Sequence, residues 1–171
     1  MVMTSATIKS PSEPSISLTD NPLREFIRVE GLVERVMQHY FARFGISGSQ
    51  WGLLRTLHRA EEEGQSRLRL TDLSDRLLIR PPSVTGAVDR LERAGLVARD
   101  HATVDQRSKL VGLTPKGRQL IERILAVHEH QITKVLAGLT KKEQAEFHRL
   151  LRRLGQHLEG LVARGYDSNG I

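Results

Sequence analysis

The chain has 171 residues, 39% hydrophobic but only 4% aromatic, with a formal net charge of +6 and no cysteine. That length fits one domain, alone or with dimerising extensions; the core must be aliphatic, and disulfides, thiolate metal sites and cysteine-based oxidant sensing are excluded. The positive balance favours a polyanionic partner, but residues 1–70, 71–117 and 118–171 carry excesses of +1, +2 and +3, so the charge is not concentrated in one segment. No apolar run approaches the roughly 20 residues of a membrane span. The N-terminus lacks a charged-then-apolar signal pattern, which predicts a cytoplasmic protein with no membrane partner.

Residues 1–21 are rich in Ser, Thr and Pro, with Lys9 the only base. They hold too little apolar material to offset the entropy of ordering, so a flexible arm is expected. A first helix is predicted from Pro22 to Phe44. Leu23, Phe26, Ile27, Val33, Met37, Tyr40, Phe41 and Phe44 give it a wide apolar stripe, wide enough to pack on a partner subunit as well as on its own core. Ser47 and Gln50 fit a capping box for a second helix, with Trp51, Leu54 and Leu57 inward. Its closing run, Glu61-Glu62-Glu63-Gly64, opposes the helix dipole and reads as a solvated loop. Arg67 to Leu70 alternates as a short strand.

The stretch from Thr71 to Gly117 organises the rest. A short helix, capped by Thr71 and running to about Leu78, leads through a tight turn to a second helix from about Pro82 to Ala94. On that second helix Val84, Ala87, Val88 and Leu91 recur at helical spacing and point inward. Ser83, Thr85, Gly86, Asp89, Arg90 and Arg93 are left outside. Pro82 suits a first turn. Gly95 is placed to end the helix in the left-handed region, with Leu96 packing back on Leu91 as in a Schellman cap. The outer face is small and polar apart from its arginines, so a groove can approach closely, and Ser, Thr and Arg can donate to phosphates or base edges. Two apolar runs, Leu96–Arg99 and Lys109–Leu113, read as a hairpin whose polar tip holds Asp105-Gln106-Arg107. A carboxylate beside an arginine can hold the guanidinium extended for entry into a narrow minor groove. This is the pattern of a winged helix-turn-helix.

After the hairpin, Thr114 caps a long helix with Pro115 in its first turn, running to about Gly138. Thr140 and Glu143 form a capping box for a last helix with Phe147, Leu150, Leu151, Leu154, Leu158, Leu161 and Val162 on one face. Two such helices, with the first one, require a large apolar partner surface and predict a symmetric dimer of intertwined helices. Two recognition helices would then meet successive major grooves about 34–36 Å apart, so the DNA site should be an inverted repeat.

Residue patterns for catalysis are lacking: there is no Gly-rich phosphate loop and no supported Ser/His/Asp arrangement. The seven histidines are scattered. His128 and His130, two apart on a helix, point about 200° apart and cannot share a metal within one chain. The reading is therefore of a non-enzyme with no cofactor and no metal site.

The order Leu73, the run PSVTGAVDRLERAGLV, the Asp105–Arg107 tip and Leu113-Thr114-Pro115-Lys116-Gly117 resembles the MarR family of bacterial transcription regulators. The likeness covers about Leu23 to Val162. At the tip the chain has Ser108, where family members often carry a further acidic residue. The resemblance implies a mostly α (α+β) fold, with a winged helix-turn-helix over 47–114. It implies a helical dimerisation region over 22–46 and 115–163 and a flexible tail over 164–171. It further implies a regulator of its own or neighbouring genes, a repressor released by a small aromatic or phenolic ligand. Ser83, Thr85, Gly86, Asp89 and Arg90 are expected to line the major groove and Arg107, held by Asp105, to enter the minor groove. Arg99 and Lys109 are expected to hold phosphates. Met37, His39, Tyr40 and Trp51 are the candidate ligand contacts. Two alternatives stay open: a metal-responsive regulator of the same fold, and a winged-helix protein-interaction module without DNA binding.

Overall fold

The computed structural model describes residues 20–100 and 110–165. They form a mostly helical fold with one small antiparallel sheet, divided into two compact units, Met1–Gly48 and Ser49–Ile171.

In the first unit, α1 spans Pro22–Ala42. Asn21 stands extended before it and its side-chain oxygen accepts the Arg24 N–H at 3.0 Å, which satisfies one of the orphan donors of a helix start. The helix stops short of Phe44, where it was expected to end. The chain turns instead through Gly45 at φ +72°, and the Ile46 N–H returns to the Phe41 carbonyl at 3.3 Å. Tyr40 sits edge-on to Phe41 and Phe44, with ring centroids 5.0 and 5.4 Å away. Burial pushes the Tyr40 phenol up, with Arg43 opposing. Further up the helix, Leu23, Phe26, Ile27, Leu32, Val33 and Val36 are exposed.

The second unit holds most of the buried hydrophobic residues. Helix α2 (Gly48–Glu62) buries Trp51, Leu53, Leu54, Leu57 and Ala60. Strand β1 (Leu68–Arg69) leads directly into α3 (Leu70–Leu77), and α4 (Pro81–Arg93) follows. Strands β2 (Val97–Asp100) and β3 (Leu110–Leu113) complete a sheet ordered β1-β3-β2. The register pairs Leu68 with Val111 and Val97 with Leu113, so the short strand expected over 67–70 is the third strand of the wing sheet. Leu73, Val84, Val88, Leu91 and Val111 are fully buried together with Ile121 and Ile124 of α5 (Pro115–Val135). The first turns of α5 therefore belong to the winged-helix core.

Two local expectations change. Thr71 is not the cap of α3, because the helix begins one residue earlier, at Leu70, and Asp72 accepts the Arg69 N–H at 3.1 Å. The acidic run at the end of α2 is not simply solvated. Glu61 is largely buried and accepts Arg118 of α5 through two bonds, 2.9 and 2.7 Å. This two-pronged pairing, which suits the guanidinium fork, ties the end of α2 to the start of α5.

Helix α6 (Lys141–Ala163) opens on the expected capping box. Glu143 N–H reaches the Thr140 hydroxyl at 3.3 Å, and the Glu143 carboxylate accepts the Thr140 N–H at 2.7 Å. These Thr140 contacts hold the Glu143 carboxyl below its ordinary range. No residue of α6 is buried. Phe147, Leu150, Leu154 and Leu158, spaced for one face, are each between 40 and 48% exposed. Among the described residues no helix is long and apolar enough to cross a membrane.

Candidate nucleic-acid interface

Helices α3 and α4 form the helix-turn-helix, and the turn between them is built from unusual parts. Leu78 adopts φ +53° while 88% exposed, a conformation that costs an L-residue with a branched side chain roughly 1–2 kcal/mol. Ser74, almost fully buried, donates its hydroxyl to the Ile79 carbonyl at 2.5 Å, and the Ile79 N–H returns to the Ser74 carbonyl at 3.2 Å. These two bonds satisfy the turn internally and set the angle at which α4 leaves it.

Helix α4 presents the predicted faces. Val84, Ala87, Val88 and Leu91 are all at most 2% exposed. Ser83, Thr85 and Arg90 are exposed, while Gly86 and Asp89 are half-buried. Thr85 spends its hydroxyl proton on the Pro81 carbonyl at 3.1 Å, leaving its lone pairs outward. Arg90 folds back so that its guanidinium would lie 3.6 Å from a Cβ at Gly86. Pro81 and Pro82 occupy the first turn and carry no N–H, so this helix start has fewer backbone donors for a phosphate than an ordinary one. Contact with a polyanion must come from its side chains.

The end of α4 is a complete Schellman cap. Gly95, at φ +69°, donates to the Glu92 carbonyl at 2.8 Å, and Leu96 donates to the Leu91 carbonyl at 2.9 Å. The Leu-Thr-Pro-Lys-Gly segment at 113–117 then serves two helices. The Thr114 hydroxyl donates to the Gly95 carbonyl at 2.7 Å and accepts the Gly117 N–H at 3.1 Å. The Lys116 ammonium donates to the Ala94 carbonyl at 2.8 Å. Gly117 passes so close to the Leu96 backbone carbonyl that a Cβ would collide with it. One five-residue segment thus closes the C-terminus of the recognition helix and opens α5.

At the base of the wing, Arg67 forms an ion pair with Asp100. Between these two edges lies Gly112, where a Cβ would meet the Ser66 carbonyl at 2.9 Å. The wing tip, with Asp105, Arg107 and Lys109, lies outside the described residues.

Arg99 departs from expectation. It does not stand free to hold a phosphate. Its side chain is 13% exposed, and its two terminal nitrogens donate to Asp89 and Glu92 of α4, each at 2.5 Å. Its backbone N–H also donates to Glu92 at 3.2 Å. Burial works against the charge, but the hydrogen bond to Asp89 and the two carboxylate charges outweigh it and raise the Arg99 pKa. Asp89 is correspondingly engaged and is not a free acceptor aimed at a groove. Glu92 was missed in the sequence, because its role depends on a partner seven residues away across the cap.

The candidate ligand contacts divide between the two units. On α1, Met37 is half-buried, Tyr40 is buried, and the exposed His39 ring donates from Nδ1 to the Arg35 carbonyl at 3.0 Å. On α2, Trp51 is 8% exposed and stacks at a tilt on His128 of α5, with centroids 5.2 Å apart. Burial lowers the His128 pKa, and the nearby Arg55 charge lowers it further. Among the described residues no group of three or more His, Asp or Glu side chains converges as a metal site would require.

A model of the MarR family matches residues 44–108. The chain is 32% identical over 126 residues to the HTH-type transcriptional repressor YetL of Bacillus subtilis, covering 74% of each protein. It is 28% identical to the HTH-type transcriptional regulator PecS of Dickeya dadantii, covering 77% of this chain and 78% of that protein. Among solved structures, a mutant MarR from E. coli complexed with operator DNA superposes with a TM-score of 0.69 at 25% identity, covering 78% of this chain and 93% of that one. Fold, site geometry and these relatives agree: the chain belongs to the MarR family of transcription regulators.

Proposed function

We propose that the chain is a homodimeric, sequence-specific DNA-binding regulator, a cytoplasmic repressor of its own or neighbouring genes that a small aromatic or phenolic ligand releases. One observation carries the reading: α4 offers a small polar face of Ser83, Thr85 and Arg90 around Gly86, on a helix buried on its other side and closed at its C-terminus by the Gly95 cap. Such a face fits a major groove, with hydroxyls and a guanidinium as donors. The relative of known structure that is bound to operator DNA supports the same use of the fold, and the repressor YetL supports the direction of control. In this reading residues 47–114 read DNA, Arg107 steadied by Asp105 enters the minor groove, and Lys109 meets a phosphate. The exposed apolar faces of α1 and α6 support dimerisation through 22–46 and 115–163. Met37, His39 and Tyr40 on α1, and Trp51 on α2, are the candidate ligand contacts. A ligand that binds better to a dimer spread away from the operator geometry lowers operator affinity by that difference.

The test is an anisotropy titration of the protein against the DNA upstream of its own coding sequence, beside scrambled DNA, at moderate salt and then over a series that extends down to low salt. Preferential binding with one dimer per site is expected, weakening linearly as log salt rises. Arg107→Ala should weaken it by about tenfold or more while the dimer stays intact. Binding to neither DNA at low salt would overturn the reading in favour of a protein-interaction module.

A further inference from the structure

The recognition helix carries two carboxylates among its arginines. Asp89 and Glu92 are one helical turn apart, so their side chains lie on neighbouring parts of one face. Left alone, they would present two negative charges beside the surface that Ser83, Thr85 and Arg90 offer to DNA. Both are taken up by a single residue from outside the helix. Arg99 of β2 spans them with one terminal nitrogen on each, at 2.5 Å, and is itself 13% exposed against 48% for Asp89 and 38% for Glu92. Glu92 also accepts the Arg99 backbone N–H at 3.2 Å, so the contact joins the strand itself to the helix. With both terminal nitrogens engaged and the side chain largely buried, the guanidinium is held in this pairing rather than free to swing to a phosphate.

We propose that Arg99 is a positioning residue for DNA binding: it screens Asp89 and Glu92 from the DNA phosphates and seats the wing strand on the recognition helix. This rests on the DNA-binding reading above. Arg99 itself touches no DNA. Its effect comes from what the two carboxylates would do without it. They would repel phosphates a few ångströms from the reading surface, and β2 would lose its charged anchor on α4.

The experiment is a set of variants of the full chain, titrated against the same upstream DNA at one salt concentration, each first checked for an unchanged melting curve and dimer. Arg99→Gln is expected to weaken binding tenfold or more. Arg99→Lys, which keeps the charge but not the fork, should lose less than threefold. Arg99→Gln combined with Asp89→Asn restores the wild-type net charge and should recover at least threefold of the loss. Arg153→Gln on α6 removes the same charge away from the helix-turn-helix motif and should stay within twofold of wild type. Asp89→Asn alone, which keeps the proposal under test should Arg99→Gln fail to fold, is expected to change affinity less than threefold, because its charge is already cancelled. A tenfold change in either direction for Asp89→Asn, an Arg99→Gln variant that binds like wild type, or a double variant no better than Arg99→Gln would each overturn the proposal. Wild-type protein that binds no DNA would overturn the DNA-binding reading, and this proposal with it. Normal wild-type binding with any of the three failures above overturns the proposal alone.

Discussion

Helix α4 has 13 residues and buries Val84, Ala87, Val88 and Leu91, whereas α6 has 23 and buries none. Both are amphipathic, and each has one cap its sequence announces, Gly95 at the end of α4 and the Thr140–Glu143 box at the start of α6. The difference is the surface available to them. Helix α4 lies against α3, β2 and the start of α5, and its apolar stripe disappears into a core shared with Leu73, Val97 and Ile121. Helix α6 keeps Phe147, Leu150, Leu154 and Leu158 at 40–48% exposure. Helix α1 shows the same condition in its own unit, with Phe26, Ile27, Leu32 and Val36 exposed. An amphipathic pattern states that a face wants cover; it does not say whether the cover comes from the same chain. Soluble monomers rarely leave such faces open, which is the physical basis for proposing a second copy.

Four variants probe this contrast between a covered and an uncovered helix. The largest effect is expected for Leu150→Glu combined with Leu154→Glu. If the stripe of α6 is covered by a second copy, the loss of burial for two leucines, about 1.5–3 kcal/mol each, should raise the dimer dissociation constant by at least about 100-fold in analytical ultracentrifugation. A monomer already present in the wild type, or a dimer untouched by the pair, would remove α6 from the interface. Next is Gly117→Ala, on the covered side. The added methyl meets the Leu96 backbone carbonyl rather than a flexible side chain, and about 2–3 kcal/mol of unfolding free energy should be lost, read from the urea midpoint. Unchanged stability would mean that the α4–α5 junction is looser than its geometry implies.

A pH dependence follows from His128. Burial and then Arg55 lower its pKa in the folded state, so the neutral ring is the one the fold accepts. Protons bind the unfolded chain more readily, and the associated stability is present above the unfolded value of about 6.5 and is lost as pH falls through the folded one. His128→Gln should therefore narrow the drop in urea midpoint between pH 7 and pH 5. An identical drop in the variant would exclude His128 as its source. The smallest effect belongs to Leu78→Gly. It relieves the positive φ at an exposed position but adds freedom to the unfolded chain, for a net gain of about 0.5 kcal/mol. A loss of stability would mean that the Leu78 side chain contributes contacts the folded chain needs.

Much of the winged helix was legible because its signals act within about one helical turn. The inward set of α4, the Gly95 cap and the Thr140–Glu143 box all depend on residues at most five apart. The Leu-Thr-Pro-Lys-Gly motif was legible as a helix start. Its second task, closing α4 through Gly95 and Ala94, was not, because those carbonyls lie about 20 residues upstream. Arg99 shows the limit most directly. Its charge and its place on a strand allowed a phosphate role, and only the approach of β2 to α4 places Asp89 and Glu92 within reach.

Local signals in the amino-acid sequence set the order of the elements, most of their caps, the inner face of the recognition helix and the apolar stripes of α1 and α6, since each follows from backbone preference and periodicity. Packing then settled which charges are spent. Glu61 meets Arg118 57 residues away, and Arg99 is drawn from the surface into a clamp on the recognition helix. These two contacts form where packing brings charged ends within a few ångströms, and no spacing along the chain encodes that distance, unlike the Glu25–Arg28 and Glu146–Arg149 pairs three residues apart on one helix.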